Sequence, residues 1–217
     1  FLMDRFGYMK LIDKNAYERN KEAACSENRY VFTCMNTDKI CLFTDSGKLH
    51  TIKAVDIPLV RFRDKGTPAD YDSAAEQILY VAPVSQIKND TLLFVTKTSM
   101  CKLVEGREFD VAKRTIASTK LAPGDELIFV GSAGEMEQVV LQSAGGSFLR
   151  FLKQEVSTMK KTSIGVRGMR LAEGDYLEHA YLLGGHQEYT ITFRDRPYVL
   201  NKVRLAKRDT KGVRPRV

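Results

Sequence analysis

The sequence predicts an all-β chain built as a propeller-like array, and three observations carry that prediction. First, short apolar runs rich in β-branched residues alternate with turn signals. Val139, Val140 and Leu141 are broken by Gly145-Gly146 and resume at Phe148–Leu152, two strands joined by a tight turn. Second, the pattern recurs. Lys120-Leu121-Ala122-Pro123-Gly124-Asp125 is answered by Arg170-Leu171-Ala172-Glu173-Gly174-Asp175 at a spacing of 50 residues. Phe43–His50 aligns with Val95–Lys102, and Asp4–Lys10 has the same Gly-x-x-basic ending. Third, no long amphipathic helix is present. Strand–turn–strand units repeating every 40–52 residues point to a propeller, because one such unit cannot bury its own apolar face.

Taken in order, residues 1–20 read as a hairpin with its turn at Arg5–Gly7 and its second strand from Tyr8. Arg19–Arg29 is polar without apolar period and reads as a loop. Strands follow at Tyr30–Cys34 and Lys39–Thr44, separated by the turn Asn36-Thr37-Asp38. Gly47 makes the next turn and Leu49–Val55 alternates, ending at Ile57-Pro58 because proline cannot donate to a ladder. Leu59–Gly66 is basic; Asp70, Asp72 and Glu76 mark an acidic connection with a helical turn. Further strands are expected at Gln77–Val84, Thr91–Thr96, Cys101–Val104, Thr115–Lys120, Leu127–Gly131 and Gln138–Leu141. The last unit comprises Tyr176–Leu183, Tyr189–Phe193 and Tyr198–Leu205, with Gly184-Gly185 as a loop.

A chain of 217 residues buries roughly 70% of its extended surface on folding. Its division is expected to be residues 1–206 as the β domain and 207–217 as a basic tail. From Lys202 onward there are seven basic residues against Asp209 alone, and the end is expected to be disordered. The net charge of +7 and pI near 9.2 favour a polyanionic partner. No apolar run reaches the ~18 residues of a membrane span. A start at Phe1 without a signal peptide reads as an excised domain of a cytoplasmic protein. Cys25, Cys34, Cys41 and Cys101 form no C-x-x-C pair, so buried free thiols are expected rather than a zinc site.

Catalytic constellations are not visible. His50, His179 and His186 are scattered; His50 stands where other units place Lys or Arg, and His186 follows a glycine pair as a loop residue. The Gly131–Gly134 and Gly145-Gly146 stretches lack the helix and Lys-Ser/Thr pair of a phosphate loop. Asp125-Glu126 matches Asp175 in the repeat, which assigns it to a turn. No cofactor is expected. The basic residues behave differently, because they recur at equivalent places. Lys10, Lys102 and Arg150 follow hairpin turns; Arg61, Arg63, Lys65, Lys113, Arg114, Lys160 and Lys161 fall in the loops after hairpins. With Arg167, Lys202, Arg204, Lys207 and Arg208 they form the predicted nucleic-acid-binding set. On radially arranged units they would share one rim, a curved cationic strip suited to duplex DNA bound through phosphates.

Phe6-Gly7-Tyr8-Met9-Lys10, Leu42–His50 with Ile57-Pro58, Leu121–Leu127 and Gly165–Asp175 together resemble the C-terminal domain of the A subunits of bacterial type IIA topoisomerases, the gyrase and topoisomerase IV group. The resemblance implies a β-pinwheel, a disc whose neighbouring blades exchange strands, here about five blades of four-stranded antiparallel sheet. It implies a non-catalytic part of an ATP-dependent isomerase whose perimeter binds and bends double-stranded DNA. The implied partners are the N-terminal cleavage region of the same subunit, which holds the catalytic tyrosine, and the ATPase B subunit. The implied setting is cytoplasmic and chromosome-associated, with no membrane. Gyrase A subunits carry a QRRGGKG-type box after the first unit. Here Glu18–Glu27 stands at that place without one, which favours the A subunit of topoisomerase IV over a gyrase wrapping domain. A protein-interaction propeller is the other alternative; the absence of tryptophan removes its Trp-Asp signature.

Overall fold

The computed structural model describes residues 1–69 and 75–216. Asp70 and Asp72, expected in an acidic connection, lie outside the described residues. In chain order the strands are β1 (Leu2–Asp4), β2 (Tyr8–Lys10), β3 (Asn28–Val31), β4 (Lys39–Thr44), β5 (Lys48–Lys53) and β6 (Thr67–Pro68). They continue with β7 (Ile78–Pro83), β8 (Thr91–Thr96), β9 (Met100–Glu105), β10 (Thr115–Ala117), β11 (Leu127–Ser132) and β12 (Gln138–Ser143). The chain ends with β13 (Phe148–Leu152), β14 (Val166–Arg167), β15 (Leu177–Leu183), β16 (Thr190–Phe193) and β17 (Arg196–Val199).

These strands make the all-β pinwheel expected from the sequence. Its sheets run β3-β1-β2-β6, β7-β4-β5-β10 and β11-β8-β9-β14, then the three-stranded β15-β12-β13 and the two-stranded β16-β17. Among the described residues there are thus five hairpins but not five four-stranded blades. The first three blades are completed by a strand from the following unit: Pro68 pairs with Tyr8, Thr115 with His50, and Val166 with Cys101. Two-residue strands such as β6 and β14 carry no apolar period, which is why the sequence showed loops there. Glycine precedes both. A Cβ on Gly66 would lie 2.6 Å from the Met9 carbonyl oxygen, and one on Gly165 would lie 2.7 Å from that of Cys101, so the exchanged backbone approaches the hairpin only without a side chain.

The fourth blade has no such strand. Its outer place is taken by the C-terminal segment: Phe148 and Val213 exchange both backbone hydrogen bonds at 2.8 Å, Ala206 N–H donates to Arg150 O, and Arg170 N–H donates to Thr210 O. The expected disorder of the tail is therefore corrected for 205–213, since an open sheet edge offers it unpaired donors and acceptors.

The inner strands follow from parity. In β4, Ile40 and Leu42 enter one buried cluster with Met3, Met9 and Val81, while Cys41 and Phe43 enter the next with Phe94 and Phe109. In β8, Leu92 and Phe94 face that second cluster and Leu93 and Val95 the third; in β12, Val139 and Leu141 face the third and Val140 the fourth. Each such strand is sandwiched between blades, so it reads as a continuous apolar run rather than an alternating one. Phe43 meets Phe94 and Phe109 edge-on at 5.9 and 5.1 Å between centroids, filling the second interface. Strand β11 packs against both β7 and β15. These edge strands gather on the inside, and the exposed β6, β10 and β14 lie at the outer edge.

The hairpin expected over residues 1–20 ends at Lys10 and is followed by α1 (Lys14–Arg19), and Arg19–Arg29, expected as a loop, is largely helical in α2 (Lys21–Glu27). Asp13 caps α1 by accepting from Asn15 N–H at 2.8 Å, and buried Ala24 anchors α2. Good helix formers outweigh the missing apolar stripe in such short pieces. The last strand was expected to run to Leu205; it stops at Val199 and a one-turn 3-10 helix, Leu200–Lys202, follows. Equivalent turns follow three of the other four hairpins, at Ala54–Asp56, Gly106–Phe109 and Lys153–Glu155. Cys41 and Cys101 are buried free thiols, pushed up to about 12 by desolvation, whereas Cys25 is exposed and Cys34 half-buried.

Candidate nucleic-acid interface

Each one-turn helix leads into an exchange loop that runs along the outer edge to the preceding blade. The predicted basic residues divide between the two sides of these loops, and the pleat decides which side. Lys10, Lys102 and Arg150 sit on the second strand of a hairpin, beneath the loop. Lys102 is 1% exposed, and its Nζ donates to the carbonyls of Lys160, Lys161 and Ser163 at 3.2, 2.9 and 2.5 Å. Lys10 Nζ donates likewise to Phe62 O and to Asp64 O, the latter at 2.8 Å. Arg150 donates to Asn201 O and to Val203 O, the latter at 2.8 Å, and through Nε to Gln138 Oε1. The expectation that these three face a polyanion is corrected: their cations are taken up by backbone carbonyls, Lys102 wholly and Lys10 and Arg150 from half-buried positions. Burial pulls the Lys102 ammonium down to about 8, against an opposing pull from the Glu108 carboxylate.

His50 occupies the same place in the second blade. Its Nδ1 lies 3.1 Å from Thr115 Oγ1 on the exchanged strand and its Nε2 lies 2.8 Å from Glu76 Oε2. Burial alone would raise the Glu76 carboxyl, but hydrogen bonds from Lys48, His50, Ser46 and Thr44 outweigh it and hold the group at about 2.

On the outer side, Arg61, Arg63, Lys65, Lys113, Arg114, Lys160, Lys202, Arg204 and Lys207 are exposed or half-exposed. Lys161 and Arg208 are partly withdrawn by an acid of the preceding one-turn helix. Lys161 N–H donates to Glu108 Oε2 and its Nζ to Glu108 O; Arg208 N–H donates to Glu155 Oε2 and its Nε to Glu155 O. Burial raises the Glu108 carboxyl, yet the Lys161 N–H and the Lys160 ammonium bring it below its ordinary value. Arg167 is exposed on β14 but engaged with Asp209 through Nε at 2.6 Å, and Asp209 also meets Arg170 at 3.3 Å. That pairing lowers the Asp209 carboxyl and raises the Arg167 guanidinium.

The repeated aspartates do turn work, as their repetition indicated. Asp125 accepts from the Thr98 and Glu126 N–H groups, and Asp175 from those of Gly145 and Tyr176, tying the next strand to the hairpin turn. Among the described residues, no group of three or more His, Cys, Asp or Glu side chains could hold a metal, and no helix is long and apolar enough to cross a membrane. The arrangement on the outer side is a series of exposed Lys and Arg side chains on consecutive loops.

Sequence reasoning missed the carbonyl clamps, although a signal was present. Lys102 stands between Cys101 and Leu103-Val104, and Arg150 between Leu149 and Phe151. A single cation inside an apolar strand marks a buried, satisfied charge, whereas Lys160-Lys161 or Arg61-x-Arg63-x-Lys65 in polar loops mark solvent-facing ones.

Sheets linked by exchanged strands, carrying cationic loops along their outer edge, define a β-pinwheel of the kind found in type IIA topoisomerase A subunits. Residues 38–85, 90–133 and 137–183, which span three successive units, match the family described as DNA gyrase C-terminal domain, beta-propeller, and the chain belongs to that family. It is 27% identical over 203 residues to the DNA gyrase A subunit of Lawsonia intracellularis, covering 86% of this chain and 24% of that protein. To the DNA gyrase A subunit of Escherichia coli K12 it is 30% identical over 184 residues, 78% of this chain and 21% of that protein. The chain thus spans about a quarter of the length of these curated relatives. In fold it is similar to the crystal structure of the C-terminal domain of DNA topoisomerase IV, with a TM-score of 0.83 at 24% identity, over 98% of this chain and 70% of that one. The Escherichia coli ParC C-terminal domain gives 0.75 at 14% identity, over 99% and 92%.

Proposed function

We propose that this chain is the non-catalytic DNA-binding and DNA-bending domain of a type II topoisomerase A subunit. In this reading the enzyme is topoisomerase IV, and the domain positions the transported duplex for ATP-dependent relaxation and decatenation. The observation that carries it is the repetition of outward-facing cations on the exchange loops: Arg61, Arg63 and Lys65, then Lys113 and Arg114, then Lys160, then Lys202, Arg204 and Lys207. Cations spaced along a convex edge neutralise successive phosphates of a duplex that curves to follow them, and counterion release supplies affinity without reading sequence. The partners in this reading are double-stranded DNA, the ATPase B subunit, and the N-terminal cleavage region of the polypeptide to which this domain belongs, in a cytoplasmic, chromosome-associated enzyme.

The choice of topoisomerase IV over gyrase is supported by Glu18–Glu27, which here is mostly part of two short helices of mixed charge and holds no basic, glycine-rich box. The gyrase wrapping domain is the second reading, favoured by the names of the relatives matched in sequence. A salt titration of duplex binding tests the first statement: a log–log slope of about −0.9 per phosphate contacted is expected, and salt-insensitive or absent binding overturns it. Ligation of a nicked circle in the presence of the domain separates the two enzymes. A shift in linking number signifies wrapping and speaks for gyrase; no shift supports topoisomerase IV.

A further inference from the structure

We infer that Lys10, Lys102 and Arg150 are positioning residues for the rim. Lys10 and Lys102 draw the carbonyls of one exchange loop inward, Arg150 those of the turn that leads into one, and each so fixes where the cations of that loop meet phosphate. The inference rests on the DNA-binding reading and deepens it. Lys10 and Lys102 make the same interaction from the same strand position, each one residue before the strand residue that bridges the exchange loop, and their acceptors are equivalent carbonyls of the following unit's loop, residues 62 and 64 and residues 160, 161 and 163. Arg150 stands one residue further along its strand and takes the carbonyls at the entry to the loop instead, residues 201 and 203 in and after the one-turn helix.

Two physical effects combine. A loop such as Arg61-x-Arg63-x-Lys65 repels itself, and without a tether it would sample many conformations that must be given up on binding. The clamp removes that freedom beforehand. It also turns the negative ends of the peptide dipoles away from the surface, so the cations and not the carbonyls face an incoming phosphate. The first blade shows the geometry most fully. Lys10 Nζ lies 5.3 Å from the Phe62 ring centroid as well as on the two carbonyls, Asp64 accepts from Arg61 N–H at 3.0 Å, and Lys65 Nζ sits 4.6 Å from the ring centroid of Tyr8. In the second blade His50 reaches the exchanged strand through Thr115, and the Arg114 carbonyl is taken by Thr51 N–H at 2.7 Å. That loop is also held by a cation from a different strand, because Lys39 Nζ on β4 donates to Val111 O at 3.0 Å and to Asp110 Oδ1 at 2.9 Å.

The test uses the full chain and a fluorescent duplex, with binding measured across a salt series. Lys10→Met is expected to make the log–log slope shallower by about two to three, the share of three cations at about 0.9 each. Affinity should drop about fivefold for each phosphate left unneutralised at about 0.15 M salt. Lys10→Arg should restore both values. Replacement of Arg61, Arg63 and Lys65 by Glu on the wild-type background tests the underlying reading separately. If that variant binds like wild type, the rim does not touch DNA and the reading fails. If it weakens binding while Lys10→Met keeps the wild-type slope, the clamp has no positioning role and only the inference fails. Arg150→Met repeats the test on Lys202, Arg204 and Lys207 in another blade. Circular dichroism and urea unfolding accompany every variant. Failure of both methionine variants to fold would also overturn the inference, because the cations would then hold the sheets themselves.

Discussion

Replacing Lys102 by Met keeps most of the side-chain volume and removes the ammonium, so the change isolates the clamp. Three carbonyl acceptors are deprived of a charged donor, and hydrogen bonds of that kind contribute about 1.5–3 kcal/mol each. Against this stands the cost of holding the ammonium in a buried place. Its pKa falls from 10.5 to about 8, which at 1.36 kcal/mol per unit is about 3 kcal/mol recovered when the charge is deleted. The net expectation is a loss of about 1.5–6 kcal/mol. Urea unfolding at neutral pH measures it, and amide exchange should accelerate in the loop that contains Lys160, Lys161 and Ser163. The pH dependence gives an independent check. Between about pH 8 and 10.5 the unfolded chain binds more protons at Lys102 than the folded chain does, so the Lys102 component of stability rises with pH across that window, and the difference between wild type and the Met variant isolates it from the opposing components of Cys41 and Cys101. The Met variant lacks that component. A loss below about 1 kcal/mol with unchanged loop exchange would refute the assignment of Lys102 as the element that closes this loop.

Further outcomes follow from other sites. Glu76 has a folded pKa of about 2 against an ordinary 4.5, so its contribution is complete above pH 4.5 and disappears as pH falls towards 2. Glu76→Gln should therefore be less stable than wild type at neutral pH and converge with it near pH 2, as read by urea midpoints. Ser99 adopts φ +73, the conformation that Gly47 supplies in the aligned hairpin at +75, and its buried hydroxyl accepts from Met169 N–H at 2.7 Å. Ser99→Ala keeps the left-handed strain and orphans that N–H, at a cost of about 1–3 kcal/mol in urea unfolding. Ser99→Gly should cost less, since relief of the strain returns about 1–2 kcal/mol. Lys160→Gln, at an exposed loop position, should move the stability read by urea unfolding by no more than about 1 kcal/mol, the scale of its surface ion pair with Glu108, and reduce the salt slope of DNA binding by about 1.

Much of the fold was legible. Strands β4, β8 and β13 run from Lys39 to Thr44, Thr91 to Thr96 and Phe148 to Leu152, where the apolar runs and their turn residues place them. The repeat of Leu-Ala-x-Gly-Asp located two equivalent turns, and their aspartates accept equivalent hydrogen bonds. Elements without a periodic signal were not legible. Strands β6 and β14 have two residues each, and α1 and α2 rest on capping and local propensity rather than on an apolar face. The tail around Val213 looks like any basic terminus until the open edge of the fourth blade is known. The candidate site was half visible: recurrence identified the cations but not their direction.

The sequence by itself determined the tandem architecture, because turn chemistry and apolar runs are local and repeat along the chain. It also determined the excess of positive charge and where in each unit that charge falls. Only the tertiary structure decided that Lys102 points under a loop while Lys160 points away from it. Which way a side chain points depends on pairings between segments nearly sixty residues apart, such as Lys102 with the carbonyls at 160–163. Register and strand exchange are set by how whole blades pack, and no local pattern encodes them.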